Sequence, residues 1–452
     1  MATALEIYKN SITPSNRLRT NDSLGKAVFL DESEPLGEGA QGAAFKGRLD
    51  MNELTEDGKY QLALPMLAHQ HLQKLLEQQP EPNGLIDKAY ATASEELSDM
   101  TANAMEDIVR STLVRQNMLK EEGRKAYCDI AVRITLDPVM VDRPRKDDQK
   151  DSVVVDFRQS RQEKYLLGLE HPNIVYHLAM GIVMPSKRAY SVMELLGGTL
   201  KPAHTMNWPL EQKLGVMRKV IDGLKLMKLY GIVNRDIKPD NIYLTVTPDL
   251  TNPWNPWVQI KLADYGIMDV ENVDFTQKTV EGAHIGTPGY VSPEQVIDAT
   301  KATWRSDQFS AGATFYTLFT NKSANPMPPN SPRSLVAAVD NAVNRPIPPD
   351  SIVIRPDTQL EGLEMVLGHM MKKDPEDRYD DYQELLEDID TIEAKKLPKH
   401  SSYYHAQTVF KGSPHTTYAL QERKAKFKRK AIAASIAAAV LGGATIIYFK
   451  GC

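Results

Sequence analysis

The sequence contains little cysteine and no excess of positive charge, and both shortages exclude whole classes of protein. Its 452 residues include two cysteines, Cys128 and Cys452, which are too few for the disulfide framework of a small secreted domain or for a four-cysteine zinc site. The 54 Lys and Arg residues are outnumbered by 59 Asp and Glu residues, so no broad basic field would attract a phosphate backbone. We therefore expect a cytoplasmic globular body that does not bind nucleic acid.

Long apolar runs are also scarce, and the longest uncharged one lies near the C-terminus. The first 22 residues lack the basic start and apolar core of a secretory signal. Residues 431–449 (AIAASIAAAVLGGATIIYF) carry no charge, and at ~1.5 Å per residue such a helix nearly spans a ~30 Å hydrocarbon core. The basic block RKAKFKRK (423–430) directly precedes it. The pattern predicts a single membrane helix with the folded body on the cytoplasmic face.

The residues before and within this run suggest two further contacts. Residues 396–430 lack periodicity and are interpreted as a juxtamembrane linker whose basic block would bind anionic membrane lipids. Ser435, Ala439 and Gly443 stand four residues apart, a spacing that lets two membrane helices approach closely. Self-association through this helix is therefore a hypothesis.

The remainder divides into a strand-rich and a helix-rich part, which predicts an α+β fold with two lobes. Residues 1–29 are interpreted as a lead-in and 30–195 as an N-terminal lobe, with a helical insertion at about 50–126. Residues 196–395 form a helical C-terminal lobe. Within the insertion, one apolar helix face is predicted from Met105, Ile108, Val109, Thr112 and Leu113.

A compact polar set occurs in GIVNRDIKPDNIYL (231–244). Asp236 suits the orientation and deprotonation of an attacking hydroxyl, and Lys238 suits neutralisation of a moving phosphoryl group. Asn241 and Asp264, the latter in KLADYG, would supply the oxygen ligands that Mg²⁺ prefers. Together these residues indicate phosphoryl transfer.

A glycine pattern lies upstream. Gly37, Gly39 and Gly42 give G-x-G-x-x-G in LGEGAQGAAFKG, which is a weak signal by itself. Glycine allows main-chain N–H groups to approach phosphate oxygens closely. No helix pattern follows, so we expect a strand–turn–strand flap over phosphates and not a dinucleotide-binding fold.

With these motifs in order, residues 30–395 resemble a eukaryotic-type protein kinase, most closely the eukaryote-like Ser/Thr kinases of bacteria. HPNIV (171–175) resembles the turn after the first N-lobe helix, and GTPGYVSPEQ (286–295) the end of the activation segment. Asp307 resembles the buried aspartate of the central C-lobe helix, and Arg378 the arginine that pairs with Glu294. The resemblance implies a bilobal kinase fold, ATP and Mg²⁺ as cofactors, and protein substrates.

The resemblance also assigns roles to individual residues. Asp236 and Lys238 would be catalytic, and Asn241 and Asp264 would hold the metal ion. Met193 would be the gatekeeper beside the adenine, and residues 194–196 the hinge that faces it. The full set of residues implied to contact ATP is Gly37, Gly39, Gly42, Ala44, Ala131, Arg133, Met193, Glu194 and Leu196.

The N-lobe departs from the family pattern at two positions. The strand that carries the ATP-phosphate lysine is best matched by IAVRI, which places Arg133 there, and arginine is not a conservative replacement at a shaped site. A second match, DGKYQLALPM, would place Pro65 there and leave no cation. The position of the helix glutamate falls on Gln162, with Glu163 adjacent, and Lys46 is another cation that could serve the phosphates.

The catalytic loop departs once, with Asn234 in place of the usual histidine, and this change leaves its chemistry intact. Two functions stay open at this point. Asp236, Lys238, Asn241 and Asp264 favour an active Ser/Thr protein kinase. Arg133 and Gln162 favour a membrane-tethered pseudokinase that binds nucleotide or a partner.

Overall fold

The architecture was obtained from a computed structural model of the chain. It describes residues 4–13, 15–20, 22–31, 36–39, 42–78, 85–138, 166–200, 208–245, 260–263, 287, 289–297, 301–324, 362–394 and 400. Within these ranges no helix is both long and apolar enough to cross a membrane. The predicted membrane helix at 431–449 and the basic block lie outside the described residues, as does all of the linker but His400.

The N-lobe is built on an antiparallel seven-stranded sheet. Its order is β1-β3-β5-β7-β6, with β2 paired to β3 and β4 paired to β5. The strands are β1 (Val28–Leu30), β2 (Gly37–Gly39), β3 (Gly42–Asp50), β4 (Leu119–Glu122), β5 (Lys125–Pro138), β6 (His177–Val183) and β7 (Arg188–Glu194). Along β3, buried Phe45 and Leu49 alternate with exposed Lys46 and Arg48, so one face of the sheet packs on a core while the other is solvated.

The described residues before position 30 are part of this lobe. Helix α1 (Ala4–Ser11) packs on β3, with Ile7 fully buried and the ring of Tyr8 5.5 Å from that of Phe45. Asp22 accepts hydrogen bonds from the Gly25 backbone N–H (2.6 Å) and the Tyr190 hydroxyl (2.7 Å). The predicted lead-in therefore contributes to the N-lobe core.

The described residues of the insertion contain three helices in addition to strand β4. They are α2 (Glu56–Gln78), α3 (Leu85–Ser98) and α4 (Ala102–Arg115), the last capped by the Thr101 hydroxyl, which accepts from the Ala104 N–H at 3.3 Å. The predicted apolar face of α4 is confirmed, since Met105, Val109 and Leu113 are buried. Pro65 lies inside α2, so the alternative that placed it on the phosphate-binding strand is wrong.

The C-lobe is mainly helical. The helices within its described residues are α5 (Leu210–Leu229), α6 (Pro293–Ile297), α7 (Trp304–Thr320), α8 (Leu363–Met370) and α9 (Tyr382–Glu393). A small sheet of order β10-β9-β8 is formed by β8 (Leu196–Thr199), β9 (Ile242–Thr245) and β10 (Ile260–Leu262). Helix α7 begins with a capping box between Thr303 and Ser306 and is buried over most of its length, which makes it the central helix of the lobe.

Buried apolar side chains form two cores. One, the N-lobe core, includes Phe45, Val132, Leu178 and Val192 from the large sheet. The other, the C-lobe core, includes Leu224, Ile237, Phe315 and Leu385. The predicted α+β architecture with two lobes is therefore confirmed.

Candidate active site

The loop that carries the polar set is held by a buried aspartate of helix α7. Asp307 is 1% exposed, and its two carboxylate oxygens accept the backbone N–H groups of Asn234 (2.7 Å) and Arg235 (2.8 Å). Burial raises the pKa of Asp307 to about 7, although both N–H groups and the Arg235 charge act in the opposite direction. Arg235 has φ +70°, a left-handed conformation that costs roughly 1–2 kcal/mol and is maintained by these contacts.

The next residue, Asp236, lies at the centre of a hydrogen-bonded polar cluster. Lys238 Nζ donates to Asp236 Oδ2 at 2.7 Å and to Thr287 Oγ1 at 2.7 Å. The Thr287 hydroxyl donates to Asp236 Oδ1 at 3.0 Å. The side chains of Asp236 and Lys238 are 17% and 20% exposed, so both stay accessible to a substrate. The structure thus brings together the two residues predicted to be catalytic and adds Thr287, which the motif analysis did not place among the site residues.

Asn241 connects this cluster to the expected metal site. Its amide Nδ2 donates to the Asp236 main-chain oxygen (2.8 Å) and to Asp236 Oδ2 (2.9 Å). Its main-chain oxygen accepts from the Ala263 N–H at 3.0 Å, so Asn241 adjoins the residue directly before Asp264. Asp264 itself lies outside the described residues, among which no cluster of three His, Cys, Asp or Glu side chains suited to a metal ion occurs. With Nδ2 occupied by Asp236, the carbonyl end of the Asn241 amide is the hard oxygen donor that fits Mg²⁺.

The N-lobe strands bring the predicted nucleotide-contacting residues together. Gly39 pairs with Gly42 and Gly37 with Ala44 between β2 and β3, so the expected pair of strands is present, while residues 40–41 between them lie outside the described residues. On the next strand, Arg133 lies opposite Ala44.

The other edge of β5 faces the hinge strand β7. Ala131 pairs with Met193, the expected gatekeeper. Because these positions alternate along paired strands, Ala44, Ala131 and Arg133 share one face of the sheet.

Arg133, which the resemblance places at the family lysine, lies on β5 opposite Ser191 of β7. The neighbouring buried His177 has a pKa lowered to about 4 by burial and by the Arg133 charge. Lys46 is 45% exposed and lies 3.7 Å from Asp31 Oδ2, so its ammonium is engaged at the surface. Gln162 and Glu163 lie outside the described residues.

The hinge residue Glu194 has a side-chain role that the sequence did not reveal. Its carboxylate Oε1 lies 2.6 Å from Lys261 Nζ and accepts the Tyr176 backbone N–H at 2.7 Å. The two charged side chains are 8% and 6% exposed. The side chain thus ties the hinge to strand β10, and the Glu194 main-chain N–H donates to the Tyr176 main-chain oxygen at 3.0 Å. Leu196, the last predicted contact, is half-buried on β8 against the C-lobe core.

The expected pair at the end of the activation segment is also present. Arg378 Nη1 and Nη2 donate to Glu294 Oε1 (2.7 Å) and Oε2 (2.8 Å). Burial alone would raise the pKa of Glu294, but hydrogen bonds and the charge of Arg378 lower it on balance. The pair anchors the segment that follows Thr287 to the C-lobe.

Comparison with known proteins gives the same assignment. Residues 140–388 match the protein kinase domain model. The matched region of the chain begins after strand β5, so strands β1–β5 lie outside it. The chain is 33% identical over 211 residues to "Serine/threonine-protein kinase Pkn1" of Myxococcus xanthus, covering 46% of this chain and 28% of that protein. It is 31% identical over 217 residues to "Serine/threonine-protein kinase PknL" of Mycobacterium tuberculosis, covering 47% and 49%.

The chain therefore spans half or less of the length of these relatives. Among solved structures, the PknI kinase domain of Mycobacterium tuberculosis is 21% identical, with a TM-score of 0.38 over 59% of this chain and 86% of that one. The family model covers more than half of this chain. The chain belongs to the protein kinase family.

Proposed function

We propose that this chain is a Ser/Thr protein kinase that transfers the γ-phosphoryl group of ATP to serine or threonine hydroxyls of protein substrates. The observation that carries the proposal is the cluster in which Lys238, Thr287 and Asn241 all bond the Asp236 carboxylate. Phosphoryl transfer needs positioning and electrostatic stabilisation more than covalent chemistry. A carboxylate held by three partners in a partly buried cluster supplies the positioning, and Lys238 supplies the electrostatic stabilisation.

The chemical step follows from these positions. Asp236 orients the substrate hydroxyl and takes its proton while the hydroxyl oxygen bonds to the γ-phosphorus and the bond to the leaving ADP oxygen breaks. Lys238 lies between Asp236 and Thr287, where its positive charge stabilises the phosphoryl group in transfer. Asn241 and Asp264 would hold Mg²⁺, which supplies charge neutralisation on the phosphates.

Arg133 is the cation that would meet the ATP phosphates from the N-lobe. Its guanidinium keeps the charge of the family lysine and offers up to five N–H donors in a planar fork. Its place on the same sheet face as Ala44 and Ala131 supports this role. The pseudokinase alternative rests on this replacement and on Gln162.

The test measures phosphate transfer from Mg²⁺-ATP to dephosphorylated casein by the full-length chain in a mild detergent. Asp236→Asn should lower transfer by about 10²–10⁴-fold, the usual contribution of a positioned acid–base group. Asp107→Asn, an exposed Asp on helix α4, is the matched control and should stay within about twofold, as surface changes usually do.

Arg133→Ala in the same assay decides whether this arginine has taken over the lysine's role. A raised KM for ATP together with a lowered kcat supports that role. The unaltered chain could transfer no more phosphate than Asp236→Asn while still binding nucleotide. That result would contradict an active kinase and favour the pseudokinase.

We further propose that residues 431–449 anchor the kinase in a membrane with its catalytic body on the cytoplasmic side. The uncharged run and the preceding basic block support this topology. Ala439→Arg would place a charge at the centre of the run, at a cost of about 2.5–3.5 kcal/mol on insertion scales. Carbonate-washed membranes should retain the unaltered chain and lose part of the variant; equal release of both would contradict the anchor.

A further inference from the structure

Helices α2 and α3 connect the two lobes, and no kinase motif accounts for this. We call these two antiparallel helices the interlobe hairpin (56–78 and 85–98). In α2, Leu62, Met66 and Leu67 belong to the N-lobe core, whereas Leu72 belongs to the C-lobe core. In α3 the order is reversed: Leu85, Ile86 and Ala89 lie in the C-lobe core, and Ala93 and Leu97 in the N-lobe core. Each helix thus buries apolar side chains in both lobes.

The C-lobe end of the hairpin contacts the residue that leads into the catalytic loop. His69 of α2 is 3% exposed and stacks on Tyr230, with ring centroids 6.1 Å apart and planes 28° apart. Tyr230 follows the last residue of helix α5, and the chain turns at Gly231, with φ +69°. Asp236 lies six positions beyond Tyr230. The stack therefore holds the residue that leads into the catalytic loop against α2.

The same hairpin contacts the segment before β6. A Cβ atom added to Gly168, which has φ +74°, would lie 2.8 Å from the Pro65 main-chain carbon of α2, so the two backbones are in direct contact. Nearby, at the end of α4, Arg115 donates to both carboxylate oxygens of Glu170 at 3.2 and 2.8 Å. The segment carrying Gly168 and Glu170 precedes His177, the neighbour of Arg133. The insertion therefore contacts both the residue that leads into the loop carrying Lys238 and the segment that precedes His177, the neighbour of Arg133.

We propose that the interlobe hairpin is a positioning element of the kinase, which fixes the catalytic loop relative to the N-lobe strand that carries Arg133. The proposal rests on the phosphoryl transfer proposed above. The helix pair buries side chains in both cores. It therefore opposes relative movement of the lobes, because close-packed interiors transmit displacement. His69 and Leu72 act through Tyr230 and the C-lobe core and do not contact substrate.

The first test separates the ring stack from mere folding. In full-length protein, His69→Ala should lower kcat for casein phosphorylation by about tenfold, because a misplacement of about 1 Å at the loop is enough for that loss. KM for ATP should change by less than about twofold, since the truncation is on the loop side. His69→Phe keeps a flat ring on Tyr230 and should restore kcat to within about twofold; an unrestored kcat would contradict the stack.

The second test uses two matched truncations in the insertion. Leu72 and Leu113 are both fully buried, but Leu113 lies on α4, whose core residues belong to the N-lobe alone. Leu72→Ala and Leu113→Ala should lower the melting temperature by similar amounts. Assayed well below both transitions, only Leu72→Ala should lower kcat by about tenfold. An equal fall in both variants would mean that the hairpin contributes stability only and would overturn the proposal.

Hydrogen–deuterium exchange of residues 231–241 provides a readout that does not depend on activity. His69→Ala and Leu72→Ala should speed exchange in this loop, and Leu113→Ala should not. Unchanged exchange in all three variants would overturn the positioning role. If the unaltered chain transfers no phosphate above Asp236→Asn, the proposed function fails, while the exchange pattern still decides whether the hairpin positions the loop.

Discussion

The ion pair of Arg378 with Glu294 should be among the most costly interactions in the C-lobe to disturb. The Arg378 side chain is fully buried, and its guanidinium makes four hydrogen bonds of 2.8 Å or less: two to Glu294 and two to the main-chain oxygens of Lys372 and Arg305. An ammonium has three donors and cannot reproduce the planar fork. Arg378→Lys should therefore lose at least one of the four bonds and cost at least about 1.5–3 kcal/mol, the range for a hydrogen bond to a charged group.

Arg378→Met removes the charge as well and should cost about 3–5 kcal/mol, because it leaves the Glu294 carboxylate buried without its cation. Equilibrium unfolding in urea measures both losses as midpoint shifts at constant slope. The control is Arg110→Lys on helix α4, whose partners are Glu106 and Glu121, the latter 64% exposed. Both of these ion pairs are accessible to solvent, so the change should cost less than about 1 kcal/mol. A loss below 1 kcal/mol for Arg378→Met would refute the reasoning.

Three further measurements address other buried groups. Lys261→Met should cost about 3–5 kcal/mol because it strands the Glu194 carboxylate, and adding Glu194→Gln should recover a large part; no recovery in the double variant would contradict the pairing. Asp307 has a pKa raised from 3.8 to about 7 in the fold, so the folded state binds the proton more tightly and this group's stabilisation, full below pH 4, is lost as pH rises through 7. The unfolding free energy of the unaltered chain should therefore fall by about 4 kcal/mol relative to that of Asp307→Asn across this window; parallel pH curves would exclude the shift. Gly168→Ala should cost more than about 3 kcal/mol because its Cβ meets the α2 backbone, whereas Gly123→Ala, with φ +64° and no atom within 4 Å, should cost about 1–2 kcal/mol in thermal unfolding; equal costs would mean that α2 yields easily.

Much of the catalytic loop was predictable because its chemistry is local. Asp236, Lys238 and Asn241 lie within six residues, so their spacing alone brings them together on one turn. The β2–β3 hairpin was likewise predictable from the glycine spacing. Thr287 was harder, since it reaches Lys238 across 49 positions and only the GTP element of the resemblance pointed to it.

The partners of hinge and insertion residues were not predictable. Glu194 meets Lys261 across 67 positions, and a lysine on a short strand gives no sign that it will be buried beside a glutamate. The match that placed Pro65 on a strand failed because residues 56–78 form a long helix, whose Leu, Ala, Gln and Met residues are strong helix formers, with Pro65 buried inside it.

The sequence by itself determined the types of element, the polar residues of the site and their family, because these depend on neighbours within a few positions. Only the tertiary structure decided that Arg133 faces Ala44 and Ser191, that the Glu194 side chain turns to Lys261, and that helices α2 and α3 enter both cores. The physical reason is that such contacts depend on strand register and on the relative placement of elements distant in sequence. That placement is set by the summed burial of many apolar side chains, and not by any local pattern.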